Sequence, residues 1–308
     1  MQVYLPIAEL PVDLLLIIGL SAAVGFISGM FGIGGGFLMT PLLIFMGISP
    51  AVAVATSASQ IAASSMTGSL MYWRRKALDF KLGMVLLAGG LCGTLLGVAF
   101  FNQMRKLGQL ETVIALSYVT LLGGIGGLML VESLRAMLRR RGGPAGPRRK
   151  AGSHAWYEGL PLKMKFHRSG LYISIIPLLL LASLIGFAGA VLGIGGGFIL
   201  VPALIYIFRV PAAIVVGTSL FQILFTMVAA TMLHATTNHS VDIILAVLMI
   251  LGGVLGAQFG ARAGAKMHGE VFRLLLALLI FGVGLRFAAD ILQKPGEAFS
   301  VTETETPK

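Results

Sequence analysis

No charged side chain occurs between Leu14 and Trp73, and none occurs between Ser169 and Phe208. A membrane-spanning helix uses roughly 20 consecutive apolar residues, so each run holds more than one. Glycine, proline and serine, not charge, interrupt these runs. In the first half the pattern predicts a helix over about 14–31 and a short apolar segment from Phe37 to Met46 that stops before Ser49-Pro50. Spans over about 51–73, 80–101 and 110–131 follow. The second half reads the same way, with segments over 171–192, 198–208, 211–234, 243–263 and 272–291. At about 1.5 Å per residue a ten-residue helix reaches half-way across a hydrocarbon core of about 30 Å. The short segments are therefore half-helices or arms of re-entrant hairpins. The apolar stretch after Val12 has no basic region before it and runs into more apolar sequence, as expected of a retained first helix rather than a leader.

The two halves are copies of one unit. Gly25-Phe26 matches Gly186-Phe187, Gly32 to Phe37 matches Gly193 to Phe198, and Pro41 matches Pro202, all at an offset of 161. With single-residue shifts, Thr56-Ser57 and Gln60-Ile61 match Thr218-Ser219 and Gln222-Ile223, and Asp79 matches Asp242. Gly89-Gly90, Gly93 and Gly97 match Gly252-Gly253, Gly256 and Gly260. Internal duplication of this length in an apolar chain is characteristic of transporters.

Charge sets the orientation. The 308 residues are 57% hydrophobic and 11% charged, with a formal net charge of +11. Soluble domains carry about 25% charged residues. Ten of the 23 Lys and Arg lie between Arg135 and Arg168, among them Arg139, Arg140, Arg141, Arg148, Arg149 and Lys150. A basic linker between apolar halves marks a cytoplasmic loop rather than a nucleic-acid surface. Arg74-Arg75-Lys76 follows the third segment, whereas the matching loop, His234 to Ser240, has no Lys or Arg. One loop later the bias reverses toward Arg262, Lys266 and Arg273. Opposite bias in matching loops implies inverted topology, with an odd number of crossings per half. The expected architecture is an all-α polytopic membrane protein of two inverted five-segment repeats, each with a Gly-rich broken or re-entrant helix. Residues 1–131 are the first repeat, 132–170 a basic cytoplasmic linker, 171–292 the second repeat and 293–308 a polar tail, with both termini outside.

The duplicated hexapeptide GIGGGF carries the candidate chemistry. Interior glycines cost a helix about 0.8–1 kcal/mol each relative to alanine, so these stretches break it. Irregular backbone at membrane depth survives only where protein buries it or it lines a cavity. The N-terminus of the following half-helix offers unpaired N–H groups and the positive end of a dipole. Gly32, Gly34, Gly35 and Gly36, with Gly193, Gly195, Gly196 and Gly197, thus read as two anion cradles. Adding a side chain there is expected to cost binding more than folding. The competing reading is close helix packing, which the four-residue series Gly89, Gly93, Gly97 and Gly252, Gly256, Gly260 serve elsewhere. Neither a dinucleotide nor a phosphate loop fits, for want of a strand context and a following Gly-Lys-Ser/Thr.

Thr56, Ser57 and Gln60, with Thr218, Ser219 and Gln222, add uncharged donors suited to an oxyanion; interhelical hydrogen bonding is the alternative. Asp79 and Asp242 precede apolar runs and read as N-caps. His234 and His239 read as solvated or packing residues at a loop mouth. No Asp or Glu falls inside a predicted span, so a carboxylate proton relay is not indicated. No catalytic constellation, metal cluster or cofactor motif is evident. The lone Cys92 says nothing of redox compartment.

At GFISGMFGIGGGFLMTPLL, GFAGAVLGIGGGFILVPAL, Gly217-Thr218-Ser219 and the glycine series, the chain resembles the sulfite exporter TauE/SafE family of membrane permeases over about residues 14–290. The resemblance implies a multi-pass transporter of the cell inner membrane. It would export small sulfur-containing anions such as sulfite or organosulfonates, by alternating access around the broken helices. Its partners would be a small anionic substrate and the lipid bilayer, with no nucleic acid. Ala55 stands in the first repeat where Gly217 stands in the second, so the half-sites need not be equivalent. A membrane scaffold without transport is the competing class. It would explain the basic linker but not the paired broken helices.

Overall fold

The computed structural model describes residues 2–31, 33–140, 161–166, 169, 171–208, 210–263, 278, 280–286 and 288–289. Each half begins with an antiparallel hairpin. Strands β1 (Gln2–Leu5) and β2 (Leu10–Asp13) open the first half, and β3 (Lys163–Phe166) and β4 (Leu171–Ser174) open the second. The two hairpins sit 161 positions apart, so the repeat extends upstream of its sequence identities. β3 falls within the stretch that charge alone marks as linker.

Helices α1 (Leu14–Phe31), α2 (Gly36–Phe45), α3 (Pro50–Arg74), α4 (Phe80–Lys106) and α5 (Leu110–Arg140) complete the first half. The second half contains α6 (Ile175–Leu192), α7 (Gly197–Tyr206), α8 (Ala212–Asn238) and α9 (Ile243–Ala263). Half of the expected last span, 272–291, falls outside the described residues. Its described part is helical and packs on α5, where a Cβ at Gly126 would meet the backbone of Phe281.

Six of the described helices are long and apolar enough to cross a membrane. Helix α3 is as long as the others, yet it is rich in Ser, Thr and Ala. It can be polar because it is central: Thr56, Ser57, Gln60, Ser64 and Ser65 are all buried. Pro50 starts it, where a missing N–H costs nothing. Helix α4 starts at Asp79, whose Oδ1 accepts from the N–H groups of Lys81 (3.1 Å) and Leu82 (3.3 Å). Asp242 caps α9 by accepting from Leu245 N–H at 3.1 Å. Both carboxylates are therefore N-caps, as their positions before apolar runs imply.

Equivalent helices trade partners across the halves. Helix α1 lies along α9, and α4 lies along α6. A Cβ at Gly93 would overlap the Ser183 carbonyl, and one at Gly256 would overlap that of Ala22. Gly97 likewise sits on Phe187 and Gly260 on Phe26. Partner residues rise in number together along each pair, so both pairs run parallel. The strict four-residue glycine series are thus backbone-to-backbone packing seams, where small residues let helices approach closely. Helices α3 and α8 cross instead. Gly68 meets Leu220, while Ile61 and Ile223 come together around Gly34 and Gly195.

Candidate functional site

The two glycine loops meet at that crossing. Gly34 (φ +88°) and Gly35 (φ +66°) turn the chain from α1 into α2. Gly195 (φ +73°) and Gly196 (φ +72°) do the same between α6 and α7, after Gly193 (φ +65°) has ended α6. Only glycine enters this left-handed region freely. Gly36 abuts the carbonyl of Gly193, and Gly197 abuts that of Ile33. The loops therefore touch each other rather than face across a gap. Gly32 lies outside the described residues. Phe37 and Phe198, the first side chains of the two half-helices, stack with ring centroids 5.9 Å apart. Each half-helix begins on its loop: Leu38 and Met39 donate to Gly35 O, and Ile199 and Leu200 donate to Gly196 O. The N-termini of α2 and α7, with their partial positive charge, are thereby brought to one place.

The side chains of Ile61 and Ile223 cover the loops. Cγ2 of each would stand within 3.5 Å of a Cβ at Gly34 or Gly195. The residue before each isoleucine is a glutamine. Gln60 is fully buried, and neither its Nε2 nor its Oε1 has a hydrogen-bond partner. Gln222 is 1% exposed, with its Oε1 unpartnered. Gln60 lies against Gly253 and Gln222 against Gly90, so the second glycine of each GG pair makes room for a glutamine from the other half. The Ser28 hydroxyl, also buried and unpartnered, stands beside Gly35. Its counterpart in the second repeat is Gly189, so the two half-sites differ.

The hydroxyls expected to join the glutamines have other occupations. Thr56 Oγ1 accepts from the Asp242 N–H (3.1 Å), and Thr218 Oγ1 accepts from the Asp79 N–H (3.2 Å). Ser57 lies 2.6 Å from the Thr40 hydroxyl, which reaches the Gly193 carbonyl at 3.1 Å. Ser219 donates to Val215 O at 2.8 Å. Thr56, Ser57 and Thr218 thus tie segments together and Ser219 bonds back into α8, while the amide of Gln60 and the amide oxygen of Gln222 beside them remain unpartnered.

His234 is no loop residue. Helix α8 continues to Asn238, and the imidazole is fully buried. Its Nδ1 accepts from Asn238 Nδ2 (2.9 Å), which leaves Nε2–H to donate to Ala190 O (3.0 Å). Its ring packs edge-on against Phe101 at 4.6 Å. Tyr118 similarly donates to Leu192 O at 2.6 Å. Both side chains pin the last turn of α6 ahead of the loop. Sequence gave no signal for either, because each partner is a carbonyl at least 44 positions away.

Paired broken helices meeting inside a bundle of apolar spans define a polytopic membrane protein of the transporter class. The family described as Sulfite exporter TauE/SafE matches residues 17–287, and the chain belongs to that family. It is 25% identical to the Bacillus subtilis (strain 168) protein named Probable membrane transporter protein YunE, over 88% of this chain and 95% of that one. It is 28% identical to YjnA of the same organism, over 85% and 95%. It is 30% identical to a Xylella fastidiosa (strain 9a5c) protein named Probable membrane transporter protein, over 79% and 81%. No solved structure matches the chain. The protein is accordingly a multi-pass membrane transporter of the TauE/SafE type, in a family of transporters rather than enzymes.

Proposed function

We propose that the protein exports a small sulfur-containing anion, such as sulfite or an organosulfonate, across the cell inner membrane. The two halves form inverted repeats, with the 132–170 linker in the cytoplasm and both termini outside. The substrate binds where the loops meet, using N–H groups of Gly32, Gly34 and Gly35 in one half and Gly195, Gly196 and Gly197 in the other. Those of Gly36 and Gly193 are already donated to Gly34 O (2.8 Å) and Gly189 O (2.9 Å), so these two residues shape the loops instead. Gln60 and Gln222 are its side-chain ligands. Thr56, Ser57, Thr218 and Ser219 frame the site through the hydrogen bonds they hold. Rearrangement of one half against the other, parting the loops and moving Ile61 and Ile223 aside, gives access from alternate faces.

The pair of buried glutamines, Gln60 with both amide atoms unpartnered and Gln222 with its Oε1 unpartnered, supports this reading most strongly. A buried polar group without a partner costs about 1–3 kcal/mol, and two matching positions carry that cost beside the broken helices. A carboxamide offers both a donor and an acceptor, so it can serve an oxyanion that carries its own proton. Such a substrate needs no protein carboxylate for charge balance.

Flux of sulfite, sulfoacetate, taurine and thiosulfate into proteoliposomes tests the proposal, with Gln60→Leu and Gln222→Leu compared with the unsubstituted protein. Leucine removes the unpartnered amide at similar volume, so the melting temperature should hold or rise. Flux should fall about tenfold or more, as losing a hydrogen bond to a charged group implies. Unchanged flux in both variants, or cation flux with sulfite inert, would refute it.

A further inference from the structure

A cavity of about 540 Å³ opens between the C-terminal ends of α3 and α9. It is lined by Arg74, Arg75, Arg262 and Gln258 at its polar end and by Met66, Leu70 and Met71 at its apolar end. Three arginines line it, and among the described residues none of them pairs with a carboxylate. Arg75 alone is partly engaged, with Nη1 3.5 Å from Ala261 O and its guanidinium over the Tyr72 ring. The apolar end continues along α3. Met66 also lines an adjoining groove of about 300 Å³ between α3 and α8, with Ala62, Ala63, Leu224, Val228 and Met232. Ala62, Met66, Leu70 and Arg74 recur every four residues, so they form one stripe along the helix. Met66 is 61% exposed and Leu70 41% exposed on that stripe.

We propose that this cavity and groove hold one anionic phospholipid, its phosphate on Arg74, Arg75 and Arg262 and an acyl chain along the α3 stripe. Charge and polarity change along the site as they do along a lipid: three cations at one end, then an apolar channel directed into the span. Basic pockets between helices at the cytoplasmic end of a bundle suit anionic headgroups. Guanidinium forks match phosphate oxygens in pairs. A bare oxyanion would engage the arginines and leave the methionine and leucine walls unused. The second repeat has no such site, because Thr236 and Thr237 stand at the positions that match Arg74 and Arg75. The inference is independent of what the transporter carries.

The test is thermal stability of the purified full chain against added phosphatidylglycerol, phosphatidylcholine, inorganic phosphate and sulfite, with apparent affinity taken from the titration. Phosphatidylglycerol should raise the melting temperature and phosphatidylcholine should not. Arg74→Gln with Arg262→Gln should weaken phosphatidylglycerol about 30-fold, the factor expected when two arginines leave an anionic surface. Arg75 stays in place because it contacts Ala261. Met66→Asn should also weaken the lipid while leaving all three charges intact. Full phosphatidylglycerol stabilisation of the double-arginine variant would overturn the proposal. So would an equal, arginine-dependent shift from phosphate or sulfite, which would make the cavity a small-ion vestibule. An insensitive Met66→Asn variant would remove the acyl chain from the site and overturn it as well.

Discussion

Asp242 donates its backbone N–H to the Thr56 hydroxyl at 3.1 Å, across 186 positions of chain. The mirror contact, Asp79 to Thr218 at 3.2 Å, joins the halves in the opposite sense. Each threonine is thus locked to the N-cap residue of the other half. Replacing either with valine keeps the shape and removes the acceptor. Thr56→Val and Thr218→Val should each lower unfolding stability in detergent by about 1 kcal/mol. The two contacts share no residue, so the double variant should lose the sum. A non-additive loss would mean that they melt as one unit.

The same aspartates hold the hairpins. Asp79 Oδ2 accepts from the N–H (3.0 Å) and hydroxyl (2.7 Å) of Ser169, and Asp242 Oδ2 accepts from the N–H of Ile7 at 2.9 Å. An asparagine amide would turn a donor toward these donors. Asp79→Asn and Asp242→Asn should each cost about 1.5–3 kcal/mol, the range for hydrogen bonds to charged groups. Proteolysis should then cut first at the hairpin of the affected site, before the spans; uniform cleavage would argue against this role.

Glycine substitutions should sort by what stands opposite. Gly93→Ala and Gly256→Ala would drive a methyl into a backbone carbonyl, and should abolish stable expression. Gly124 on α5 has nothing within 4 Å of an added Cβ, so Gly124→Ala should behave as the parent protein does. In the loops the expectation of a binding cost without a folding cost needs revision. A Cβ at Gly35 would stand 3.0 Å from Ser28 and 3.1 Å from Val24, and one at Gly196 would overlap Ile185. Left-handed backbone adds about 1–2 kcal/mol for a non-glycine residue. Gly35→Ala should therefore lose about that much stability, and Gly196→Ala more, which makes the glutamine variants the cleaner probe of binding.

Orientation is open to cysteine labelling in a Cys92→Ala background. A cysteine at Ser153 should react only from the cytoplasmic side and one at Thr237, which is exposed, only from the outer side. Reaction of both from one face would remove the inverted arrangement.

Much of the architecture was legible in the residues. Apolar length and glycine or proline punctuation placed every described helix, with α2 and α7 short because their sequence is short. The repeat was visible as identities in register, and the N-capping aspartates announced themselves by position. Helix ends were less legible. Helix α4 runs to Lys106 and α8 to Asn238, each about a turn beyond the apolar pattern, since helices continue while side-chain partners hold them. That extra turn moved His234 from an expected loop mouth into the interior. The hairpins went unread because their strands are four residues long and share a single identity in register across the repeat, Leu10 with Leu171.

By itself the sequence determined what local rules govern: where backbone must span lipid, where it must break, which glycines accept positive φ and which aspartates start helices. These follow from hydrogen-bond satisfaction and sterics within a few residues of each position. Tertiary structure alone decided the partners. Nothing in the order of residues says that α1 lies on α9, that Thr56 binds Asp242, or that Ser57 is engaged while Gln60 is not. Those outcomes depend on which surfaces, from 17 to more than 180 positions apart, come within a few ångströms and leave one polar side chain satisfied and its neighbour without a partner.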